Sequence, residues 1–248
     1  LEVAGWWALA AGAVLAYVLT TAYRHLQDNR RAGERVILDR FGAGTTVTLA
    51  RGMLIGLLAG FLVLPKPAGW LAWLPALIYF LVVVGDFLDG YLARRAGMQT
   101  LLGERLDIEF DALGLLVASS VAIAWGHIGG WFLLVGGSRY LYLGALSWRR
   151  RRGYPVQSLP PSSLRRPLAG LMMVFVAILL WPVFAPRVAT VAAVTIGLPF
   201  LAGFTRDGLV TGGWMLASDP GYVRTRQRVK DWMAGPAPIL LRGLVTIA

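Results

Sequence analysis

Stretches of about twenty mostly apolar residues, the length that crosses a bilayer, recur along this chain, and its charges are gathered in the gaps between them. Seven such segments can be marked, near residues 3–23, 46–64, 70–92, 108–125, 128–146, 167–184 and 188–204. Of the 248 residues, 57% are hydrophobic and only 15% charged, where a soluble domain carries about a quarter. The expected fold is therefore all-α and integral to the membrane. It has a six-helix transmembrane core preceded by one extra N-terminal transmembrane helix.

The formal net charge of +11 raises the question of nucleic acid, since basic chains often bind phosphate backbones. Its distribution argues against that partner. Arginines fill alternate gaps: Arg24 to Arg40, Arg94 to Arg105, Arg149 to Arg166, and Arg206 to Lys230, while the gaps between hold only Lys66 and Arg187. Short loops rich in Lys and Arg stay in the cytoplasm, so the amino terminus is predicted outside and the basic loops inside. Cysteine is absent, which excludes disulfides and thiolate metal sites.

Four regions are predicted: an extra N-terminal helix (1–23), a basic cytoplasmic linker (24–45), a membrane core (46–205) and a cytoplasmic or interfacial tail (206–248). The first residue is Leu1 and the tail turns apolar after Pro236, so the sequence is expected to be a piece trimmed at both ends. The first apolar stretch is too long for a signal-peptide core and has no basic leader. Gly52, Gly56 and Gly60 recur every fourth residue on one face of the second span, a spacing that admits a neighbouring helix at close range.

The chemistry is concentrated between Asp86 and Asp111. Asp86 and Asp89 are three apart near the end of the third span, and Asp107 and Asp111 four apart at the start of the fourth. Residues at these spacings share a helix face. The short loop between is expected to make the two helices antiparallel neighbours, with their carboxylate pairs facing each other just inside the cytoplasmic boundary. An acidic side chain in a spanning helix costs about 2.5–3.5 kcal/mol at the centre and less near the interface. Four together also repel, unless a cation neutralises them. Hard oxygen ligands suit Mg²⁺, Mn²⁺ or Ca²⁺, and such an ion can bridge carboxylates to a pyrophosphate. Gly90 inside a helical pattern costs about 1 kcal/mol relative to Ala, which close approach by a ligand would offset. Arg94 offers a forked donor to phosphate.

These residues resemble a known signature. Asp86-x-x-Asp89-Gly90-x-x-Ala93-Arg94, eight residues, then Gly103-x-x-x-Asp107-x-x-x-Asp111 is similar to the pattern of the CDP-alcohol phosphotransferase (CDP-alcohol phosphatidyltransferase) family, with every fixed position filled. The resemblance covers roughly residues 46–204. It implies an integral membrane enzyme of phospholipid biosynthesis, usually a homodimer, that moves a phospho-alcohol group from a CDP-linked donor to an alcohol acceptor and releases CMP. It further implies that Asp86, Asp89, Asp107 and Asp111 hold one or two ions of Mg²⁺ or Mn²⁺, and that Asp111 is also the general base. Gly90, Ala93, Arg94 and Gly103 would line the cytidine diphosphate pocket with Asp86 and Asp89. Thr48 and Arg51 resemble a Thr/Arg pattern near the nucleotide on the family's first core helix.

An acceptor site is expected from other basic residues. Arg139 interrupts the fifth span, and an arginine inside an apolar span is a functional candidate. Arg165 and Arg166 open the sixth, at positions where relatives using phosphorylated acceptors place basic residues. These favour CDP-diacylglycerol as donor with a small polar acceptor, such as glycerol phosphate, inositol phosphate or serine, over a CDP-amino alcohol with diacylglycerol as acceptor. His25 and His127 are isolated, and no Ser/His/Asp constellation offers a covalent route. A membrane prenyltransferase would need a second aspartate-rich motif, but the later acids Asp207, Asp219 and Asp231 are scattered. A cation-coupled transporter would place its carboxylates near mid-bilayer with internal symmetry, whereas this cluster is single and at one face.

Overall fold

A computed structural model describes residues 2–159 and 165–215. Every regular element among them is helical: α1 (Glu2–Arg24), α2 (Ala43–Ala59), α3 (Leu74–Arg95), α4 (Leu101–Ala124), the short α5 (Leu133–Gly136), α6 (Ser138–Arg151), α7 (Arg165–Leu179) and α8 (Pro186–Thr211), with four short 3₁₀ turns. This is the all-α membrane protein predicted. Among the described residues, four segments are long and apolar enough to cross a bilayer: Glu2–Arg24, Ala43–Val63, Gly69–Arg95 and Pro186–Thr211. Their apolar side chains are largely on the outside: Trp6, Leu9, Val191 and Leu198 are all exposed. In water that surface would be untenable; against acyl chains it is the expected one.

The remaining expected spans differ in instructive ways. Helix α4 is long enough at 24 residues, but Glu104, Arg105, Asp107, Glu109 and Asp111 crowd its first half. The fifth expected span, 128–146, is broken into a 3₁₀ turn, α5 and α6. Its break falls at Gly136-Gly137, where a Cβ on Gly136 would sit 2.8 Å from Ser119 Cβ of α4. Helix α7 ends at Leu179 rather than Phe184, and α8 continues to Thr211, past the expected end at Phe204. Residues beyond Met215, including the basic run Arg224 to Lys230, lie outside the described residues, as do Pro160 to Leu164.

The chain forms two compact units, residues 1–136 with 174–191, and residues 137–173 with 192–248. In the first unit α2 is the central helix, packed along α1, α3 and α4. Its glycine stripe receives α1: a Cβ on Gly52, Gly56 or Gly60 would lie 2.7 Å from Val18, 2.5 Å from Leu15 and 2.3 Å from Trp7. On α2's other flank, Gly44 meets Ala93 of α3, its missing Cβ 2.8 Å from Ala93 Cβ.

The segment after α1 folds back onto the start of α4. Asn29 Nδ2 donates to the carbonyls of Leu38 and Arg40 at 2.8 and 3.1 Å. Leu101 N donates to Arg30 O at 3.0 Å, and Asp28 pairs with Arg105 at 2.8 Å. At the far end of the unit, Trp125 Nε1 reaches the Phe61 and Leu64 carbonyls. His127 Nδ1 lies 2.9 Å from Leu179 O, and His25 sits in a turn beside Asp28. Both histidines lie in the connections between helices, where loop residues are expected.

In the second unit, Arg149 ties α6 to the end of α8. Its guanidinium donates to Gly212 O at 2.7 Å and lies over the rings of Tyr154 and Trp214. Asp207, buried on α8, pairs with Arg165 Nε and Arg206 Nη2, each at 2.6 Å.

Candidate active site

Helix α3 carries Asp86 and Asp89 in its last turns, and α4 carries Asp107 and Asp111 in its first ones. The α4 start is fixed by Thr100, whose hydroxyl caps the helix by accepting from Gly103 N at 3.0 Å. The three-residue and four-residue spacings put each pair on one face, as expected. The expected direct apposition of α3 and α4 is modified, however. Helix α2 packs extensively with both, and they touch each other far less. Two pairs of like charges do not approach unaided, and what α2 inserts between them is a cation.

That cation is Arg51, with 1% of its surface exposed. Its Nη1 donates to Asp89 Oδ2 at 2.6 Å and Asp107 Oδ1 at 2.8 Å. Its Nη2 pairs with Asp86 Oδ1 at 3.0 Å and with Asp111 Oδ1. Each terminal nitrogen of the fork thus joins one carboxylate of α3 to one of α4. Gly85 makes room for the arginine stem, since a Cβ there would lie 2.7 Å from Arg51 Cγ. One turn before Arg51, Thr48 donates to Asp89 Oδ2 at 2.8 Å.

Three of the acids are also grouped as ligands of a hard cation would be. One oxygen each from Asp86, Asp89 and Asp107 lie within 4.8 Å of one another. Opposite ligands of a single Mg²⁺ are about 4 Å apart and those of Ca²⁺ about 5 Å, so the grouping is on the scale of one ion's ligand shell. Asp89 is nearly buried while Asp86 and Asp107 are part-exposed, leaving the cluster open on one side. Asp111 lies a turn further into α4, and Tyr79 of α3 is fully buried with its hydroxyl unpartnered.

The other expected site residues divide. Gly90 lies under Arg94, whose Nη1 would be 3.1 Å from a Cβ there, so these two lie together on the turn that follows Asp89. Ala93 and Gly103 sit at helix contacts: Ala93 against Gly44, and Gly103 with its missing Cβ 3.0 Å from Thr45 Oγ1 of α2. Arg139 and Arg165 belong to the second unit, where Arg165 is paired with Asp207. The side chain of Arg166 lies outside the described residues.

The profile of the CDP-alcohol phosphatidyltransferase family matches residues 43–203, from the first residue of α2 into the last turns of α8. The chain belongs to that family. It is accordingly an enzyme that transfers substituted phosphate groups. Curated relatives carry the name CDP-diacylglycerol--glycerol-3-phosphate 3-phosphatidyltransferase. That of Salmonella choleraesuis is 30% identical over 147 residues, 57% of this chain and 78% of the relative. Those of Escherichia coli K12 and Shigella boydii are each 31% identical over the same shares. No solved structure matches. The matched region leaves α1 outside, although α1 packs against α2 inside it.

The sequence signal for Arg51 is the one that singles out Arg139: a guanidinium in an apolar span. Gly85 and Gly44 carried no such mark, because a glycine's role depends on which helix approaches it.

Proposed function

We propose that this protein transfers the phosphatidyl group of CDP-diacylglycerol to the hydroxyl of glycerol 3-phosphate, releasing CMP. The observation that carries the reading is the convergence of all four signature aspartates on one point between α2, α3 and α4. The donor and acceptor follow from the relatives named above, and an anionic acceptor suits a chain with Arg139, Arg165 and Arg166 at its later helices.

Asp86, Asp89, Asp107 and Asp111 would hold one or two divalent ions, Mg²⁺ or Mn²⁺. Such an ion would supply charge neutralisation on the pyrophosphate as its bridging bond breaks. Asp111 takes the proton from the acceptor hydroxyl. The acceptor oxygen bonds to the phosphorus that carries diacylglycerol, and the bond from that phosphorus to the bridging oxygen of CMP breaks. Gly90 and Arg94 take the pyrophosphate end of the nucleotide site, and Ala93, Gly103 and Thr48 shape its wall by fixing helix contacts and Asp89. The site faces the cytoplasm, the amino terminus lies outside, and the protein works as a homodimer. Helix α1 is an addition to the core at 46–205, joined by the segment 24–45, with 206–248 as an interfacial tail.

Purified protein with CDP-diacylglycerol, Mg²⁺ and glycerol 3-phosphate should release CMP and form phosphatidylglycerol phosphate, identified by mass. Release with inositol phosphate or serine in place of glycerol 3-phosphate, and none with glycerol 3-phosphate, would reassign the acceptor. Absence of CMP release with every acceptor would refute the reaction.

A further inference from the structure

We infer that Arg51 is the resident counter-cation of the aspartate cluster: it holds the four carboxylates together before a divalent ion arrives, and it weakens the binding of that ion. The inference rests on the proposed metal site. Its starting point is the sharing of one guanidinium by four acids. Arg51 pairs with Asp86, Asp89, Asp107 and Asp111, and each Nη joins α3 to α4. When all four acids are ionised, one positive charge leaves three negative charges uncompensated. The arrangement therefore attracts a further cation and also repels it, because that cation must settle beside a guanidinium that cannot lose its proton.

The fold commits space to this arrangement. Arg51 is 1% exposed, its stem crosses α3 at Gly85, and Thr48 steadies the Asp89 carboxylate that it grips. A lysine could not reproduce it, since an ammonium is a point charge without a planar fork. Its Nε, also buried, has no hydrogen-bond partner, so the polar contacts of the side chain run through its two terminal nitrogens. The pairing is thus exchangeable: carboxylates can pass from guanidinium to metal without breaking any other bond that Arg51 makes. A site built this way keeps its acids assembled without metal and binds the ion weakly enough for the ion to bind jointly with the anionic pyrophosphate.

The test uses the full chain in detergent, with Mn²⁺ as the probe, titrated by electron paramagnetic resonance and by thermal unfolding. Wild type, Arg51→Met and Arg51→Lys are compared in EDTA and in saturating Mn²⁺. Arg51→Met should unfold at lower temperature than wild type in EDTA and recover most of the difference in Mn²⁺. Its Mn²⁺ dissociation constant should fall on the order of tenfold, the scale on which an adjacent like charge acts. Arg51→Lys should lose stability in EDTA while keeping near wild-type Mn²⁺ affinity. If Arg51→Met does not fold without metal, Arg51→Met with Asp107→Asn should, because one uncompensated charge is removed; failure of that rescue overturns the inference. Equal destabilisation of Arg51→Met with and without Mn²⁺, or unchanged or weaker affinity, overturns it as well. No Mn²⁺ binding by wild type would instead refute the metal site on which the inference rests.

Discussion

The Tyr17 hydroxyl lies 2.5 Å from Glu109 Oε1 and donates to it, joining α1 to the helix that carries Asp107 and Asp111. Glu109 sits between those two aspartates in sequence, on another face of α4. Together with the Asp28–Arg105 pair at 2.8 Å, it ties the N-terminal segment to α4 at two levels. Tyr17→Phe keeps the ring and removes the donor. It should lower stability by about 1 kcal/mol, the usual worth of one hydrogen bond, measured by thermal unfolding in detergent. No change in unfolding temperature would show that α1 is held on α4 by packing alone.

The packing of α1 has its own test. A Cβ on Gly56 would stand 2.5 Å from Leu15 Cγ and Cδ2, too close for any side chain unless Leu15 moves. Gly56→Leu should cost about 1–3 kcal/mol, as overpacking does. Gly5→Leu, where nothing lies within 4 Å, is the matched control and should be near neutral. Equal tolerance of both would mean that α1 is not seated on the stripe.

Much of this was legible in the sequence because its signals are local. Residues three and four apart share a face whatever surrounds them, so the two carboxylate pairs were readable from spacing, as was a glycine stripe awaiting a helix. The partner of that stripe was not readable, since α1 fits by the shapes of Trp7, Leu15 and Val18 rather than by any motif. That α2 supplies most of the packing to both α3 and α4 was missed for a related reason. A short loop between two helices favours their pairing, but the mutual repulsion of four acids is settled by where Arg51 lies, and that is a tertiary fact. The break at Gly136-Gly137 escaped too, because apolar content continues unchanged across it. Asp207, scattered in sequence, is placed by α8 beside Arg165 and Arg206.

Helix α3 separates two exposed alanines, Ala68 before its 3₁₀ entry and Ala96 just after its end. Its 22 residues rise about 33 Å, enough to cross the hydrocarbon core. The chain has no cysteine, so Ala68→Cys and Ala96→Cys each create one thiol. Ala96 is preferable to Gly97, whose φ of +61° a cysteine would adopt only under strain. In sealed inside-out vesicles an impermeant maleimide should label Ala96→Cys and not Ala68→Cys. Labelling of both from one side would mean that α3 does not span, and the reverse pattern would invert the proposed orientation.

Asp111 is placed differently from the other three acids, and that placement gives its proposed role as base a test. The oxygens of Asp86, Asp89 and Asp107 lie within 4.8 Å of one another, whereas Asp111 stands a turn deeper on α4, outside that group of three, and pairs with Arg51 Nη2. A carboxylate in that position can face an acceptor hydroxyl while its neighbours face metal. Asp111→Asn should abolish transfer yet leave CDP-donor binding within roughly tenfold, about 1.4 kcal/mol. Asp86→Asn or Asp89→Asn should weaken metal-dependent donor binding itself, measured by Mn²⁺ titration with and without the donor. If all three variants lose donor binding equally, Asp111 is chiefly a ligand and the proton is taken elsewhere. If Asp111→Asn still transfers, it has no part in taking the proton. In that case the unpartnered hydroxyl of Tyr79 becomes the next group to change, by Tyr79→Phe.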